Sequence, residues 1–291
     1  MTTIEHRIEA DGEQPDYSGR EFTEEEIAEG AHRRFVGGVW DTHGQRQLDF
    51  LIGRGLKPEH RVLDIGCGCF RAGRLFIDYL EPGHYYGVDA NHSLMQAGYD
   101  VELSEEQRSR LPIENLRAND RFDVDFGVPV DFAMAQSVFT HVSINHIRLC
   151  LFRAAKSVRP GGSFFATFFE RPRSTPIDMV LNTSKPKPFF TEKNVFWYYR
   201  SDLEWAARFS PWRVNYIGDW GHPANQRMVE FIRLTDEEWA AAKTAAKKAA
   251  PTAAQKPAQK GPAAQPPLRQ ELARFTRRGR RWLARRLDPK R

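Results

Sequence analysis

The sequence contains few cysteines and no long apolar run. Cys67, Cys69 and Cys150 are the three cysteines among its 291 residues, and their number and spacing fit neither a disulfide framework nor a zinc site. The longest largely apolar run, residues 164–169, is far shorter than the ~20 residues that span a bilayer. The first residues are polar and acidic and lack the pattern of a secretory signal. We therefore expect a soluble, cytoplasmic protein with no metal centre.

Basic residues are outnumbered by acidic ones except at the C-terminal end of the chain. Residues 241–291 carry 15 Lys or Arg and two acidic residues, which gives this tail a net charge of +13. Because the whole chain has a net charge of +5, residues 1–240 carry a net charge of −8. Any attraction to polyanions is therefore expected from the tail.

The glycine-rich turn at Gly66 and Gly68 lacks the third glycine of a dinucleotide fingerprint. An apolar run at residues 62–65 predicts a buried strand before the turn, and the apolar periodicity after it predicts a helix. Strand, glycine turn and helix form the opening unit of a doubly wound α/β nucleotide-binding domain. The dinucleotide fingerprint would have a glycine at position 71, whereas the next glycine in this chain is Gly73. A different nucleotide-like ligand is therefore predicted.

The residues around the glycine turn resemble a motif of a known family. Asp64 stands two residues before Gly66, and this pattern resembles the first motif of class I S-adenosylmethionine-dependent methyltransferases. The resemblance implies that the turn, with Cys67 and Gly68 in it, holds the methionine end of the cofactor, and that the acidic residue helps to bind its amino group. The family's frequent third glycine is here Phe70, which bears on the path of the loop. A plain structural turn in another α/β protein is the alternative.

Polar residues follow the next two predicted strands. Asp89 ends the strand at residues 85–89, with Ala90 beside it, and a carboxylate there can accept both hydrogen bonds of a ribose diol. The alternative is a surface aspartate that caps the following helix. Asn119 and Asp120 end the third strand, where the resemblance implies an acid that contacts the adenine amine. A turn-forming Asn-Asp pair is the alternative there.

The fourth predicted strand, residues 131–135, bears on the substrate class. Gln136 and Ser137 follow it, and similar sequences place cofactor-contacting backbone at this position, facing the transferred methyl group. Enzymes that methylate base amines carry an Asn/Asp-Pro-Pro-aromatic box here. The box is missing, which disfavours nucleobase amines as acceptors. A Pro-Gly-Gly turn at residues 160–162 before the fifth strand is also typical of the family, so that the resemblance covers about residues 32–170.

Three polar or aromatic residues of the N-terminal region are candidates for the site. We expect residues 1–22 to be mobile and residues 23–58 to form a helical lid over the cofactor, as segments before the first strand often do in the family. Trp40, His43 and Gln47 would then face cofactor or substrate. The alternative is a helix that packs beside the sheet.

Two histidines are candidates for a general base. His222 lies in a loop at residues 218–226 that is rich in Trp, His, Asp and Asn, and the ordinary histidine pKa of about 6.5 suits proton transfer near neutrality. His141 follows the fourth strand and is the second candidate. Both have structural alternatives, as a turn residue held by Pro223 and as a hydrogen-bonded residue at a helix start.

Together these patterns predict a doubly wound α/β fold with a seven-stranded, mostly parallel sheet, the Rossmann-like methyltransferase fold. Its last two strands form an antiparallel hairpin. The methyltransferase domain is expected at residues 59–236, followed by an Ala/Lys/Pro-rich linker at 237–267. The predicted function is methyl transfer from S-adenosylmethionine to a hydroxyl group of a small molecule or glycan. An NAD-type oxidoreductase and a non-catalytic cofactor-binding partner protein that acts through its basic tail are the alternatives.

The last segment, residues 268–291, is predicted to form a basic amphipathic helix. Leu268, Leu272, Phe275 and Trp282 share one face, and arginines surround them. Such a helix suits peripheral contact with an anionic membrane through residues 268–287, at the inner membrane surface. A solvated tail without a partner and a loose contact with nucleic acid remain alternatives.

Overall fold

The fold is a mixed β-sheet with helices on both faces, seen in a computed structural model that describes residues 5–7, 18–174 and 195–249. The strands are β1 (Glu5–Arg7), β2 (Val62–Ile65), β3 (Tyr85–Asp89), β4 (Leu116–Asn119), β5 (Val130–Ala135), β6 (Val158–Glu170), β7 (Trp197–Tyr198), β8 (Trp212–Asp219) and β9 (Arg227–Arg233). The helices are α1 (Glu24–Ala28), α2 (Ala31–Phe35), α3 (Trp40–Gly53), α4 (Gly73–Tyr79), α5 (His92–Ala97), α6 (Glu105–Arg110), α7 (Ile144–Ser157), α8 (Arg200–Ala207) and α9 (Asp236–Ala249).

The order of the strands is β1-β4-β3-β2-β5-β6-β9-β8, with β7 paired to β6. All neighbours are parallel except β9, which runs antiparallel to both β6 and β8. The seven predicted strands and their antiparallel hairpin are thus confirmed, and β1 and β7 are additions. Strands β3 and β4 are added on one side of β2, whereas β5 and β6 are added on the other, so the strand order reverses between β2 and β5. Ligands of such folds bind at this point, outside the carboxyl ends of the strands.

Strand β2 is buried because both of its faces are covered. Successive side chains of a strand point to opposite faces. Val62 therefore packs with Phe76 of α4 in one core cluster, whereas Leu63 packs with Ile147 and Leu151 of α7 in the other. The short apolar run in the sequence is therefore a central parallel strand that holds the glycine turn between two cores.

The predicted N-terminal lid consists of α1, α2 and α3. Thr23 begins α1 with a capping box, in which its hydroxyl accepts from Glu26 N at 3.3 Å and the Glu26 carboxylate accepts from Thr23 N at 3.1 Å. Glu102 of the π-helical turn Gly98–Glu102 anchors α2, with Oε1 2.5 Å from His32 Nε2 and 2.6 Å from Arg33 Nε. The lid is therefore attached to the sheet domain by a nearly buried carboxylate.

The predicted linker begins with a helix, which is a correction. Residues 236–249 form α9, where the sequence was interpreted as a flexible linker from residue 237. Thr235 starts this helix, since its hydroxyl accepts from Glu238 N at 3.1 Å and Glu238 accepts from Thr235 N at 2.8 Å. Alanine has the highest helix propensity, so an alanine-rich segment with a good cap favours a helix over coil.

Strand β1 is the second departure from the sequence-based prediction. Residues 5–7 pair in parallel with β4, although the sequence predicted a mobile segment at 1–22. The rest of the predicted linker and the basic helix at 268–291 lie outside the described residues and stay predictions. No helix within the described ranges combines the length and the apolar character needed to cross a membrane.

Candidate active site

The predicted site residues surround one cavity of about 690 Å³ at the carboxyl ends of β2, β3, β4 and β5. The cavity is closed on one side by the lid and on another by the loop between β8 and β9. Its wall includes every cofactor or catalytic candidate taken from the sequence: Asp64, Gly66, Cys67, Gly68, Asp89, Ala90, Asn119, Asp120, Gln136, Ser137, His141 and His222.

The glycine turn after β2 has left-handed backbone at three positions. Gly66, Gly68 and Phe70 have φ of 76°, 57° and 64°. Phe70 adopts this conformation although it is not glycine, and its side chain is completely buried with the ring centroid 6.3 Å from that of Tyr85. Core packing therefore holds the loop where the family has its third glycine. A Cβ atom on Gly66 would lie 2.4 Å from Val138 Cγ2, so this position has no room for a side chain.

Asp89 connects the end of β3 to the glycine turn. Its Oδ2 accepts from Gly68 N and its Oδ1 from Asn91 N, both at 2.8 Å. Burial at the cavity wall raises the pKa of Asp89, against the lowering effect of these backbone donors. Each carboxylate oxygen has a second lone pair, so the group can order the loop and still accept hydrogen bonds from a ligand.

Asp64 is buried beneath the same turn. Its Oδ2 accepts from the hydroxyl of Tyr85 at 2.9 Å, and burial raises the pKa of Asp64 to about 7. The proximity of Asp89 contributes to the raised pKa. Two carboxylates that are poorly compensated in this region favour a cationic ligand group.

Two polar side chains, those of Asn119 and Asp120, lie at the end of β4 and differ in their hydrogen bonds. Asn119 forms a local turn, since its Oδ1 accepts from Asp123 N at 2.7 Å and its Nδ2 donates to Asp123 O at 3.2 Å. Asp120 has a buried Oδ1 with no hydrogen-bond partner in the described part of the chain, 3.8 Å from Arg121 Nε. Asp120 therefore places at the cavity wall a carboxylate oxygen that forms no hydrogen bond in the described part of the chain and has the Arg121 guanidinium beside it.

His222 does not have the near-neutral pKa predicted for a general base. Burial, followed by the charges of Arg46 and Arg71, lowers the pKa of His222 to about 4. Its Nδ1 accepts from Ala224 N at 3.1 Å, and its Nε2 lies 3.1 Å from Gln136 Nε2. The lower pKa makes the imidazole a weaker base than the sequence suggested.

The lid brings two of its three candidates to the cavity. His43 and Gln47 line it, and burial, together with Arg71, lowers the pKa of His43 to about 3. The ring centroids of His43 and His222 are 4.7 Å apart. Trp40 does not line the cavity, because its ring lies beneath the guanidinium of Arg33 at 4.9 Å.

Arg71 is the main residue of the site that the sequence interpretation missed. Its Nη1 donates to the lid carbonyls of Val36 at 2.7 Å and Gly38 at 3.0 Å, and its Nη2 donates to Gln136 Oε1 at 2.8 Å. The side chain thus joins the lid to the end of β5. The sequence did contain a signal for this role, because Arg71 is a charged residue directly after the glycine turn, where its neighbours are small or apolar.

The sequence interpretation also missed Thr167 of β6 and Gln226 before β9, which hold the backbone and side chain of Ser137 at the end of β5. Ser137 has φ of 60°, and its N donates to Thr167 Oγ1 at 2.7 Å. Gln226 bridges the two, because its Oε1 accepts from Thr167 Oγ1 at 2.6 Å and its Nε2 donates to Ser137 Oγ at 2.8 Å. The strand end beside the cavity is therefore held by a closed hydrogen-bond network.

No family model matches the chain. Among solved structures, it is similar to DesVI of Streptomyces venezuelae, with 16% identity and a TM-score of 0.50, over 74% of this chain and 100% of that one. It is similar to the CcbJ methyltransferase of Streptomyces caelestis, with 12% identity and a TM-score of 0.51, over 66% and 90%. It is also similar to the glycopeptide N-methyltransferase MtfA in complex with S-adenosylmethionine, with 14% identity and a TM-score of 0.52, over 67% and 95%.

At these identities the likeness concerns the fold. It agrees with the strand order, in which the antiparallel β9 lies between β6 and β8. The fold class predicted from the sequence is confirmed: the chain has the Rossmann-like fold of class I S-adenosylmethionine-dependent methyltransferases.

Proposed function

We propose that this chain transfers a methyl group from S-adenosylmethionine to a small-molecule or glycan acceptor. The observation that carries the proposal is the pair Asp64 and Asp89, which end adjacent parallel strands and face one cavity beside a left-handed glycine turn. The cofactor has an ammonium group and a ribose diol, which are ligands for two such carboxylates. When bound, it supplies an electrophilic methyl group on a sulfonium, so the protein has chiefly to align the reactants.

Each candidate has a role in this proposal. Asp89 accepts from the ribose diol, and Asp64 binds the ammonium group. The backbone of the turn and of Ala90 approaches the cofactor closely, and Asp120, ordered by the Asn119 turn, accepts from the adenine amine. The remaining cofactor candidates also line the cavity: Gly66, Cys67, Gly68, Gln136 and Ser137.

A hydroxyl acceptor, which the sequence suggested, needs a general base. His141 lines the cavity and is the better candidate for that role. His222 is the weaker one, since its pKa is lowered to about 4 and both of its ring nitrogens face N–H groups. Peripheral contact of residues 268–287 with an anionic membrane stays a proposal from the sequence alone.

Calorimetric titration tests the cofactor against the alternatives. We expect saturable one-to-one binding of S-adenosylmethionine and S-adenosylhomocysteine, and no binding of NAD, because the turn lacks the glycine pattern for a dinucleotide. A chain ending at Ala249, after α9, should bind as well as the full chain. Binding of NAD alone would support an oxidoreductase.

The affinity for S-adenosylmethionine should rise with pH between about 5.5 and 7. Burial raises the pKa of Asp64 to about 7, so this group is mostly protonated below that pH and must lose its proton to bind an ammonium group. The affinity then gains up to about tenfold per pH unit and levels off above 7. Between about pH 4 and 7 the Asp64 carboxyl is ionised in the unfolded chain but protonated in the folded one. The free energy of unfolding of the free protein should therefore fall as pH rises through this range.

Titrations at several pH values, in two buffers of different ionisation enthalpy, measure both the slope and the released proton. Asp64→Asn should bind more weakly and with a flatter pH profile, because the titrating group is gone. Asp78→Asn on α4 is a matched control outside the cavity wall and should keep the parent's slope. A parent profile that is flat from pH 5.5 to 7 would remove Asp64 from the ammonium site.

A further inference from the structure

We infer that the methyl acceptor carries an anionic oxygen group, a carboxylate or a phosphate, which binds where Arg71, His43 and His222 meet. The inference rests on the proposed function and adds the chemical class of the acceptor. It follows from an unbalanced positive charge and an excess of hydrogen-bond donors at this end of the cavity.

The charge comes from two arginines. Arg71 lines the cavity, and Arg46 adjoins it, with Nη1 3.1 Å from His43 Nδ1. Within the described ranges, neither arginine forms an ion pair with a carboxylate, although many other arginines do. Asp64, Asp89 and Asp120 also line the cavity, and Asp64 is near enough to Arg71 for their charges to interact, although the two do not form an ion pair. The end of the cavity at Arg71, His43 and His222 therefore has two guanidinium groups nearby and no carboxylate ion-paired to either of them.

The tautomers of the two imidazoles add donors to this charge. His43 Nδ1 faces a guanidinium N–H of Arg46, so the neutral ring carries its proton on Nε2, and the ring also forms a hydrogen bond with the Gln136 side chain. His222 Nδ1 accepts from Ala224 N, so its neutral ring also carries the proton on Nε2. Burial and the two arginines keep the pKa of both rings low, and at neutral pH each ring is a neutral donor.

One contact in this cluster pairs two donors. Gln136 Nε2 lies 3.1 Å from His222 Nε2, and a neutral imidazole whose Nδ1 already accepts has no second acceptor. Turning the Gln136 amide over would place its NH₂ against Arg71 Nη2, which now donates to Oε1 at 2.8 Å. Either orientation leaves one N–H facing another. Arg71 Nε is also buried without a partner among the described residues.

An oxyanion relieves this imbalance. A carboxylate or phosphate accepts several hydrogen bonds and donates none, and its bonds to guanidinium groups are charge-assisted. A protonated amine would add both charge and donors to a region that has too many of each. A neutral hydroxyl would contribute one donor and no charge. The cluster is thus complementary to an anionic acceptor.

The test uses the full chain saturated with S-adenosylhomocysteine, so that the carboxylate of the cofactor product already occupies its own place. Four compounds with the same ring are titrated by ligand-observed NMR in chloride-free buffer at pH 7: benzoate, phenyl phosphate, benzyl alcohol and benzylamine. We expect one or both anions to bind at least about tenfold more tightly than the alcohol and the amine. The tighter anion identifies the acceptor group as carboxylate or phosphate.

Two variants locate the effect. Arg71→Gln, again saturated with S-adenosylhomocysteine, should reduce the preference for anions to within about threefold. Arg74→Gln is the matched control, since Arg74 lies on α4, pairs with Asp41 and does not line the cavity, and it should keep the full preference. If circular dichroism shows that Arg71→Gln is unfolded, His222→Gln replaces it, with a loss of preference again expected.

Two results would overturn the inference. One is binding of benzyl alcohol or benzylamine as tight as that of the anions. The other is a preference for anions that Arg71→Gln leaves at the parent's level. A parent protein that does not bind S-adenosylhomocysteine at all would instead refute the proposed function, so the two failures are distinguishable.

Discussion

Replacing Asp89 with asparagine is expected to weaken S-adenosylmethionine binding by about 10- to 100-fold. Both carboxylate oxygens now accept a backbone N–H, from Gly68 and from Asn91, at 2.8 Å each. Asparagine has the same size but only one oxygen, so its NH₂ would face one of these donors and disturb the turn. The substitution also removes the charged acceptor proposed for the ribose diol, and losing hydrogen bonds to a charged group costs about 1.5–3 kcal/mol.

Calorimetric titration at pH 7.5 measures this loss. Asp125→Asn is the matched control, because Asp125 likewise accepts from the N–H two residues ahead, that of Gly127 at 3.0 Å, but lies outside the cavity wall. Its affinity should stay within about threefold of the parent's. An Asp89→Asn variant with the parent's affinity would show that this carboxylate serves only the turn.

The sequence predicted the parts of the site that depend on local pattern. The run at Val62–Ile65 is long enough for one buried strand, and the glycines after it require a sharp turn. Asp64 and Asp89 could be placed at one edge because adjacent parallel strands end together. These inferences need only the periodicity of the backbone and the direction of the strands, and both are encoded over a few residues.

The properties that failed depend on distant neighbours. The pKa of His222 is lowered by burial and by Arg46 and Arg71, which are more than 150 positions away in the chain. Reading the histidine alone gives its ordinary value and hence a base. Its Nε2 lies against Gln136 Nε2, which is 86 positions away in the chain, and no spacing in the sequence shows that these two groups meet.

The amino-acid composition gave a wrong prediction for the segment after Asp236, because this composition is compatible with both a linker and a helix. The alanines and lysines after Asp236 suit a flexible linker, but they also have high helix propensity. The cap at Thr235 decides for a helix, which runs to Ala249, two residues before Pro251. The prediction for Trp40 was also wrong: its ring, which was expected at the cavity, lies against the guanidinium groups of Arg33 and Arg74.

Gly66→Ala is expected to abolish detectable S-adenosylmethionine binding, a loss of more than about 100-fold. The backbone at Gly66 has φ of 76°, which costs a residue with a Cβ atom about 1–2 kcal/mol. The new methyl group would also lie 2.4 Å from Val138 Cγ2, on the wall of the cavity. Either the turn or Val138 must move, and both face the place proposed for the cofactor.

Gly127→Ala separates the two causes. Gly127 has φ of 75° but no atom within 4 Å of its added Cβ, so this control carries the same backbone strain without the clash. Thermal unfolding should show a similar loss of stability from strain in both variants, whereas calorimetry should show full cofactor affinity in Gly127→Ala. The double variant Gly66→Ala with Val138→Ala removes the clash and should recover part of the binding. A Gly66→Ala protein that binds within about threefold of the parent would mean that the cofactor does not approach this turn, and the assignment of the whole cavity would fail with it.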